Sequence, residues 1–330
     1  MDVVSDAVSA VRIGRPSSNR VRVSGNWCTR LAPYDGAGFH VVLEGSCWLL
    51  PDNGSPVSLG TGDVVLLPHG TGHVIADAPV DATTVERAVP FERWFDERGS
   101  RRPRATSGEV QMLCGKYRLD RSRMHPLMAE LPKVVHLPNR VGTHPELRAA
   151  VDLLGHELGA QGPGACIAVP SLLDLLLVYM IRSWAAQGTS GTWPTVLGDP
   201  ITTAALRALH SDPAAPWTND RLAAEAGVSR ATLARRFTTL VGRPPMAYLT
   251  WWRLTFAATL LRDTPDPLAT IARRVGYGTP YALSHAFSRE FGTTPGQYRA
   301  ETAGRSASTR ESLMNPPDRT DPPRDEEYGR

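Results

Sequence analysis

Residues 222–248 read LAAEAGVSRATLARRFTTLVGRPPMAY, and residues 271–298 read IARRVGYGTPYALSHAFSREFGTTPGQY. Laid over one another, Leu222-Ala223 meets Ile271-Ala272, Gly227 meets Gly276, Phe237 meets Phe287, Gly242 meets Gly292, Pro245 meets Pro295 and Tyr248 meets Tyr298. The offset is 49 residues up to the glycine and 50 from the phenylalanine onward. One supersecondary unit is written twice. Two copies are too few for a solenoid and leave a two-headed module.

Each copy spells a helix, a turn and a second helix. Thr218 or Asn219 caps a helix through Ala226, Gly227 makes the turn, and Ser229 caps a second helix to Leu240. Leu222, Ala223, Ala226, Val228, Leu233 and Phe237 are the small and apolar positions at which two helices cross. That leaves Arg230, Ala231, Ala234, Arg235, Thr238 and Thr239 outward. In a helix-turn-helix the second helix enters the major groove with its first turns toward base edges. Arg235 is long enough to reach a guanine, and Arg230 and Thr238 are better placed for phosphates. Pro245 to Arg262 reads as one helix of about 27 Å at 1.5 Å per residue. Residues 263–267 stop it, and Leu268 to Val275 starts the second copy. Thr279 as cap with Pro280 at the first helical position launches a helix to Phe291, with Leu283 and Phe287 inward and Tyr281, Ser284, His285 and Arg289 outward. The bland alternative is an ordinary αα-hairpin; repetition of the whole pattern speaks against it.

Charge points the same way. The 330 residues carry a net charge of +3, and between Pro200 and Ala300 twelve arginines face six acids, so the surplus lies in the repeated part. A localised basic excess is the footprint of a phosphate-binding surface. The only lysines are Lys116 and Lys133. The pattern I-A-x-x-V-G-Y at 271–277, with the F-x-x-x-F-G-x-x-P-x-x-Y-R close from Phe287 to Arg299, resembles the AraC/XylS family of bacterial transcription regulators over about residues 200–300. The resemblance implies that Ala231, Ala234 and Arg235 of the first head, and Pro280, Tyr281, Ser284 and His285 of the second, face bases of double-stranded promoter DNA. It also implies RNA polymerase as a partner and a homodimer. Alanines at 231 and 234 remove polar readers, and His285 stands where Arg is usual. Specificity is therefore expected to lean on Arg235, DNA shape and phosphates, with the first head fixing the site and the second tuning it.

The length of the chain suits two domains. At the amino terminus Val3, Val4, Ala7, Val8 and Val11 predict a short amphipathic helix, which Arg15 to Asn19 breaks. Short β-type runs follow at Val21–Val23, Phe39–Leu43, Cys47–Leu50, Val64–Leu67 and Val74-Ile75, with Asp52-Asn53-Gly54 as the clearest hairpin turn; this texture reads as a small barrel. Gly62 to His73 matches G-x5-P-x-G-x2-H and resembles the second motif of the cupin barrel, with Asp77 where Asn is usual. The first cupin motif is missing: Gly38 occupies its glutamate position and His40 is its single histidine. Cys114-Gly115 and His125-Pro126-Leu127 resemble the sensor domain of one AraC branch.

Two readings of His40 and His73 stay open. They supply a metal site together with Cys28, Cys47 or Cys114, or they are half-buried barrel residues satisfied by hydrogen bonds. Cys114, in the strand-like run Val110 to Tyr117, is either a small core residue or a redox sensor, which needs a lowered thiol pKa and access. The effector-binding candidates are His40, Trp48, His73 and Cys114, for a small-molecule or redox effector, with no cofactor, resident metal or catalytic residue expected. Ala82 to Glu109, with Arg98, Arg101, Arg102 and Arg104, reads as an exposed connection. After Pro126 the pattern is helical throughout. His144–Leu158 and Pro170–Trp184 form an antiparallel pair about the Gly162-Pro163-Gly164 turn, the second apolar nearly all round and as fit for a dimer contact as for core. The apolar run is about half a bilayer span, so no membrane is expected; four unpaired-looking cysteines and no leader point to the reducing cytoplasm.

The expected class is α+β: a cupin-like β-barrel with helices over 1–186 for sensing and dimerisation, a linker over 187–199, an all-α double helix-turn-helix domain over 200–300, and a disordered tail over 301–330. A non-enzymatic, sequence-specific DNA-binding transcription regulator follows. The rival is a cupin-type metalloenzyme fused to a DNA-binding module, disfavoured because the first motif lacks its ligands.

Overall fold

Helix α1 (Val3–Val11) opens the chain where its valine spacing predicts it, and β1 (Arg12–Val23) follows without a break. The computed structural model describes residues 3–95, 109–119, 125–160, 162–187 and 192–302. The 98–104 arginine cluster and residues 303–330 of the expected tail lie outside the described residues.

Strand β1 is far longer than the expected Val21–Val23: the helix ends earlier, at Val11, and Arg15 to Asn19, expected to break the helix, lie within the strand. Pro16 is tolerated because β1 is the outermost strand of its sheet and its register with its one partner shifts between Ile13 and Ser17. Next come β2 (Cys28–Leu31), β3 (Gly36–Glu44), β4 (Cys47–Pro51), β5 (Val57–Leu59), β6 (Val64–Leu67) and β7 (His73–Ala76). Asp52-Asn53-Gly54 turns β4 into β5, with Cys47 opposite Leu59. The segment expected as an exposed connection instead holds α2 (Ala82–Glu86), β8 (Val89–Pro90) and α3 (Phe91–Trp94). Its Trp94 is buried with its ring 5.6 Å from that of Trp27, because an indole is too large an apolar surface to leave in water. Then follow β9 (Val110–Leu119), α4 (Pro126–Ala129) and β10 (Val135–Leu137). The helical pattern expected after Pro126 is thus interrupted by a strand that pairs with β6.

These strands make two five-stranded sheets, β1-β9-β3-β6-β10 and β5-β4-β7-β2-β8. All pairings are antiparallel except β2 with β8. The inner strands of the first sheet are buried on both faces. Phe39, Val41, Val64, Leu66 and Leu113 pack toward the helices, whereas Val42, Val65, Leu67, Met112 and Cys114 meet Leu49 and Ile75 between the sheets. This period of two puts His40, two residues before Val42, inside the barrel.

Helices α5 (Pro145–Ala160) and α6 (Ala165–Ala186) cover the first sheet, and Tyr117 Oη donates to the Leu173 carbonyl at 2.7 Å. α6 is 22 residues, not the half-span expected, since it begins before Pro170, and it is long and apolar enough by composition to cross a bilayer. One face is core, where Leu173, Leu176, Leu177, Met180 and Ile181 are buried.

Over its described residues 192–198 the expected linker is a packed helix. Residues 192–198 form α7 (Thr192–Gly198), with Trp193 and Val196 buried. The Gly, Ser and Thr content of residues 187–199 hid one large aromatic anchor. Asp199 then caps α8 (Pro200–Ser211), accepting from the Thr202 amide at 2.8 Å. α9 (Asn219–Glu225), α10 (Arg230–Val241) and α11 (Pro245–Asp263) follow, and one buried cluster runs from Val4 through the barrel helices and α7 to Phe237, Tyr248 and Trp252. α12 (Leu268–Arg274) and α13 (Pro280–Phe291) close on Ile271, Ala272, Val275, Leu283, Phe287 and Tyr298. Two compact units result, Met1–Thr255 and Phe256–Arg330, divided within α11.

Candidate functional site

In the first head Thr218 accepts from the Arg221 amide at 3.1 Å and Ser229 from the Thr232 amide at 3.2 Å, so both helices begin on side-chain caps. Gly227 turns between them at φ 68°, a left-handed conformation that other side chains resist. Val228 N donates back to Ala223 O at 3.0 Å, and in the second head Tyr277 N donates to Ala272 O at 2.8 Å across Gly276 at φ 84°. The repeat therefore holds at the level of individual backbone bonds. The one-residue change of offset is Gly278, an extra residue before the Thr279 cap, which accepts from Ala282 N at 3.1 Å.

Helix α10 buries Leu233, Phe237 and Val241. Opposite them Arg230, Ala231 and Arg235 are exposed, and Ala234 and Thr238 are half-buried. Arg235 pairs with no acid among the described residues. Arg230 lies 3.6 Å from Asp220 with both side chains largely in water, an arrangement too weak to hold it from a phosphate. Helix α13 buries Leu283 and Phe287 and exposes Pro280, Tyr281, His285 and Arg289, with Ser284 half-buried. Tyr281 is 80% exposed, far more than an aromatic ring with a structural task requires.

Only part of the arginine surplus is available for DNA. Arg236 is held by Asp199 at 2.6 Å. Burial pushes the Asp199 carboxyl up, but its Thr202 hydrogen bonds and Arg236 outweigh this and hold it below its ordinary value. Arg253 donates to the Pro213 and Ala215 carbonyls, Arg274 pairs with Asp266, and Arg299 donates to the Leu261 and Asp266 carbonyls. These clamp loops to helices. Charge counting missed the distinction, because an arginine fixing a turn and one facing solvent are the same letter.

Inside the barrel three of the four effector candidates meet. His40 Nε2 lies 2.7 Å from His73 Nε2, His40 Nδ1 lies 3.1 Å from Cys114 Sγ, and His73 Nδ1 lies 2.9 Å from the Thr71 carbonyl. That carbonyl can only accept, so His73 carries its proton on Nδ1. His40 then donates through Nε2 to His73, and the Cys114 thiol donates to His40 Nδ1. One neutral chain of protons satisfies every member. Burial, then the His73 neighbour, holds His40 well below the ordinary histidine value, and burial also lowers His73. Burial, with Cys47 beside it, pushes the Cys114 thiol up.

The geometry favours the hydrogen-bonded reading over the metal reading. Cys114 and His73 engage opposite nitrogens of His40, so the three do not converge on one point, and no group of three ligand side chains does so among the described residues. A thiol buried with a raised pKa is also the reverse of what oxidant sensing needs. Trp48 is not part of this group. It pairs with Ala76 and points to the face of the second sheet opposite inward Leu49 and Ile75.

Residues 2–186 match the family model described as Cupin, and residues 222–301 match that of a helix-turn-helix domain. The chain is similar to a putative AraC-like transcription regulator of Streptomyces lividans, 33% identical over 304 residues covering 91% of this chain and 98% of that one. It is similar to the HTH-type transcriptional regulator MtrA of Neisseria gonorrhoeae, 30% identical over 308 residues, 91% and 99% of the two chains. Among solved structures it is similar to the DNA-binding domain of AdpA in complex with a target DNA, 33% identical over 33% of this chain and 97% of that chain, with a TM-score of 0.31.

Proposed function

The chain belongs to the AraC-like transcription regulators, a cupin domain followed by a helix-turn-helix domain that binds double-stranded DNA, and from that premise we propose that a small-molecule effector bound by residues 1–186 sets how residues 200–300 hold a promoter. The observation that carries this is the single buried cluster joining the barrel helices to the first head, since a change of packing on one side must be felt on the other. An effector acts only by binding two arrangements of the protein unequally.

In this reading Arg235 and Tyr281 lead base recognition, with Ala231, Ala234, Pro280, Ser284 and His285 facing bases and Arg230, Thr238 and Arg289 on phosphates. His40, His73 and Cys114 line the effector side of the barrel. The barrel performs no catalysis, and the protein works in the cytoplasm as a homodimer that contacts RNA polymerase. Supporting the dimer, Ile167 and Leu175 of α6 and Leu153 of α5 are exposed at 76%, 39% and 55%. Thermal-shift measurements over a metabolite panel test the reading: at least one compound raises the melting temperature and changes promoter affinity, and a barrel that no compound stabilises is a platform rather than a sensor.

A further inference from the structure

Four polar side chains form a second buried chain that the DNA contacts do not use. His210 Nδ1 lies 2.8 Å from Asp6 Oδ2, His210 Nε2 lies 2.8 Å from Tyr248 Oη, and His125 Nε2 lies 3.0 Å from the same oxygen. None of the four is more than 4% exposed. Asp6, on α1, and His125, just before α4, come from the amino-terminal region. His210, at the end of α8, and Tyr248, on α11, belong to the first head. Aromatic rings enclose them: His210 stacks on Trp252 at 4.1 Å, and His125 meets Trp193 and Trp251 at 5.3 and 5.4 Å.

Such a group is costly to bury, and apolar residues of similar volume stabilise a core as well or better. What polar links add is one required arrangement, because breaking any of them strands a buried donor or acceptor. The protons can be placed. His210 holds one on Nδ1 toward the Asp6 carboxylate, Tyr248 donates its single hydroxyl proton to His210 Nε2, and His125 Nε2–H donates to the Tyr248 oxygen. The ring of Tyr248 packs edge-on against Phe237 of α10 at 5.6 Å. One side chain thus touches the reading helix with its ring and the amino-terminal region with its hydroxyl.

We propose that Asp6, His210, Tyr248 and His125 form a latch that fixes the first head on the amino-terminal domain and sets its affinity for the operator. Arg230, Ala231 and Arg235 stay exposed with the latch closed, so it orients the reading helix and does not hide it. Opening it removes pre-organisation and weakens binding. The inference rests on the proposed control of the heads by residues 1–186.

The test is a double-mutant cycle on the full-length protein with Asp6→Asn and Tyr248→Phe, which preserve size and, for the tyrosine, the contact with Phe237. The probe is a promoter duplex recovered by genome-wide mapping of the unaltered protein. Affinity is measured by fluorescence anisotropy at fixed salt and normalised to the active fraction. Each single variant is expected to bind at least fivefold more weakly, and the double variant no more weakly than the weaker single. Unchanged affinity in the folded fraction, or losses that multiply in the double variant, overturns the latch; a merely structural role lowers the melting temperature without moving this affinity. If Tyr248→Phe does not fold, His125→Gln with Asp6→Asn decides by the same criterion. An effector that stabilises the barrel while these variants bind normally refutes the latch and leaves the sensing reading standing.

Discussion

Acidification from pH 7 to pH 5.5 is expected to weaken the unit of residues 1–255 by a calculable amount. Burial first, and a neighbouring histidine second, hold His40 and His125 well below the ordinary value, and burial lowers His73 as well. Unfolded, each titrates near 6.5. Below that pH the unfolded chain binds more protons than the native one, so stability is intact above about 6.5 and is lost as pH falls. A histidine that stays neutral in the native state over this range therefore costs on the order of 1 kcal/mol of stability as pH falls from 7 to 5.5. His40 and His125 together remove on the order of 2 kcal/mol, a sizeable part of a typical domain stability of roughly 5–15 kcal/mol, and His73 adds to the loss. Asp199 does not blur the window, since its lowered carboxyl titrates further down. Urea unfolding followed by tryptophan fluorescence at the two pH values measures the loss, and His40→Gln is expected to shrink it by on the order of 1 kcal/mol. Equal unfolding free energies at both pH values, or an undiminished loss in His40→Gln, refutes the assignment of these histidines as neutral in the native state.

Arg235→Ala is expected to weaken operator binding by about 1–3 kcal/mol with the fold intact, and His285→Ala by less; a reversed order in gel-shift titrations reassigns the leading head. Ile167→Glu with Leu175→Glu is expected to convert a dimer to a monomer in sedimentation velocity, and an unaltered dimer places the contact elsewhere. Cys166 is exposed, whereas Cys47 and Cys114 are buried with raised thiol pKa values, that of Cys47 pushed up to about 12. A thiol reagent is therefore expected to modify Cys166 in the native protein and the other two only on unfolding; fast native labelling of Cys114 reopens the redox role.

The double head was legible because everything that specifies it is local. Caps at Thr218, Ser229 and Thr279, glycines at 227 and 276 and apolar spacing in two helices act within a dozen residues. The barrel strands that are short unbroken apolar runs, such as the Phe39–Leu43 part of β3 and β6, were legible for the same reason. What escaped depended on distant partners. Residues Arg15–Asn19 look like the end of the opening helix, and only the outermost position of β1 lets Pro16 sit within a strand. Residues 187–199 look like a linker, and only a preformed core gives Trp193 a place to bury. The barrel chain was half legible: His40, His73 and Cys114 were grouped together, but Trp48, grouped with them, differs by the parity of its position on β4. The latch was not legible as a group: Tyr248 stood out in the repeat and His125 in the His125-Pro126-Leu127 segment, but nothing in the sequence links them to each other or to positions 6 and 210.

The burial of α7 bears on how such regulators can be recombined. A chimera that joins the sensor of one relative to the heads of another at residues 187–199 would cut through packed side chains and separate Trp193 and Val196 from partners shaped for them. The second head, with its own small core beyond Thr255, is the more exchangeable part. Inheritance of new promoter specificity by shuffling is thereby channelled toward the carboxy-terminal head, while the first head and the barrel are obliged to change together.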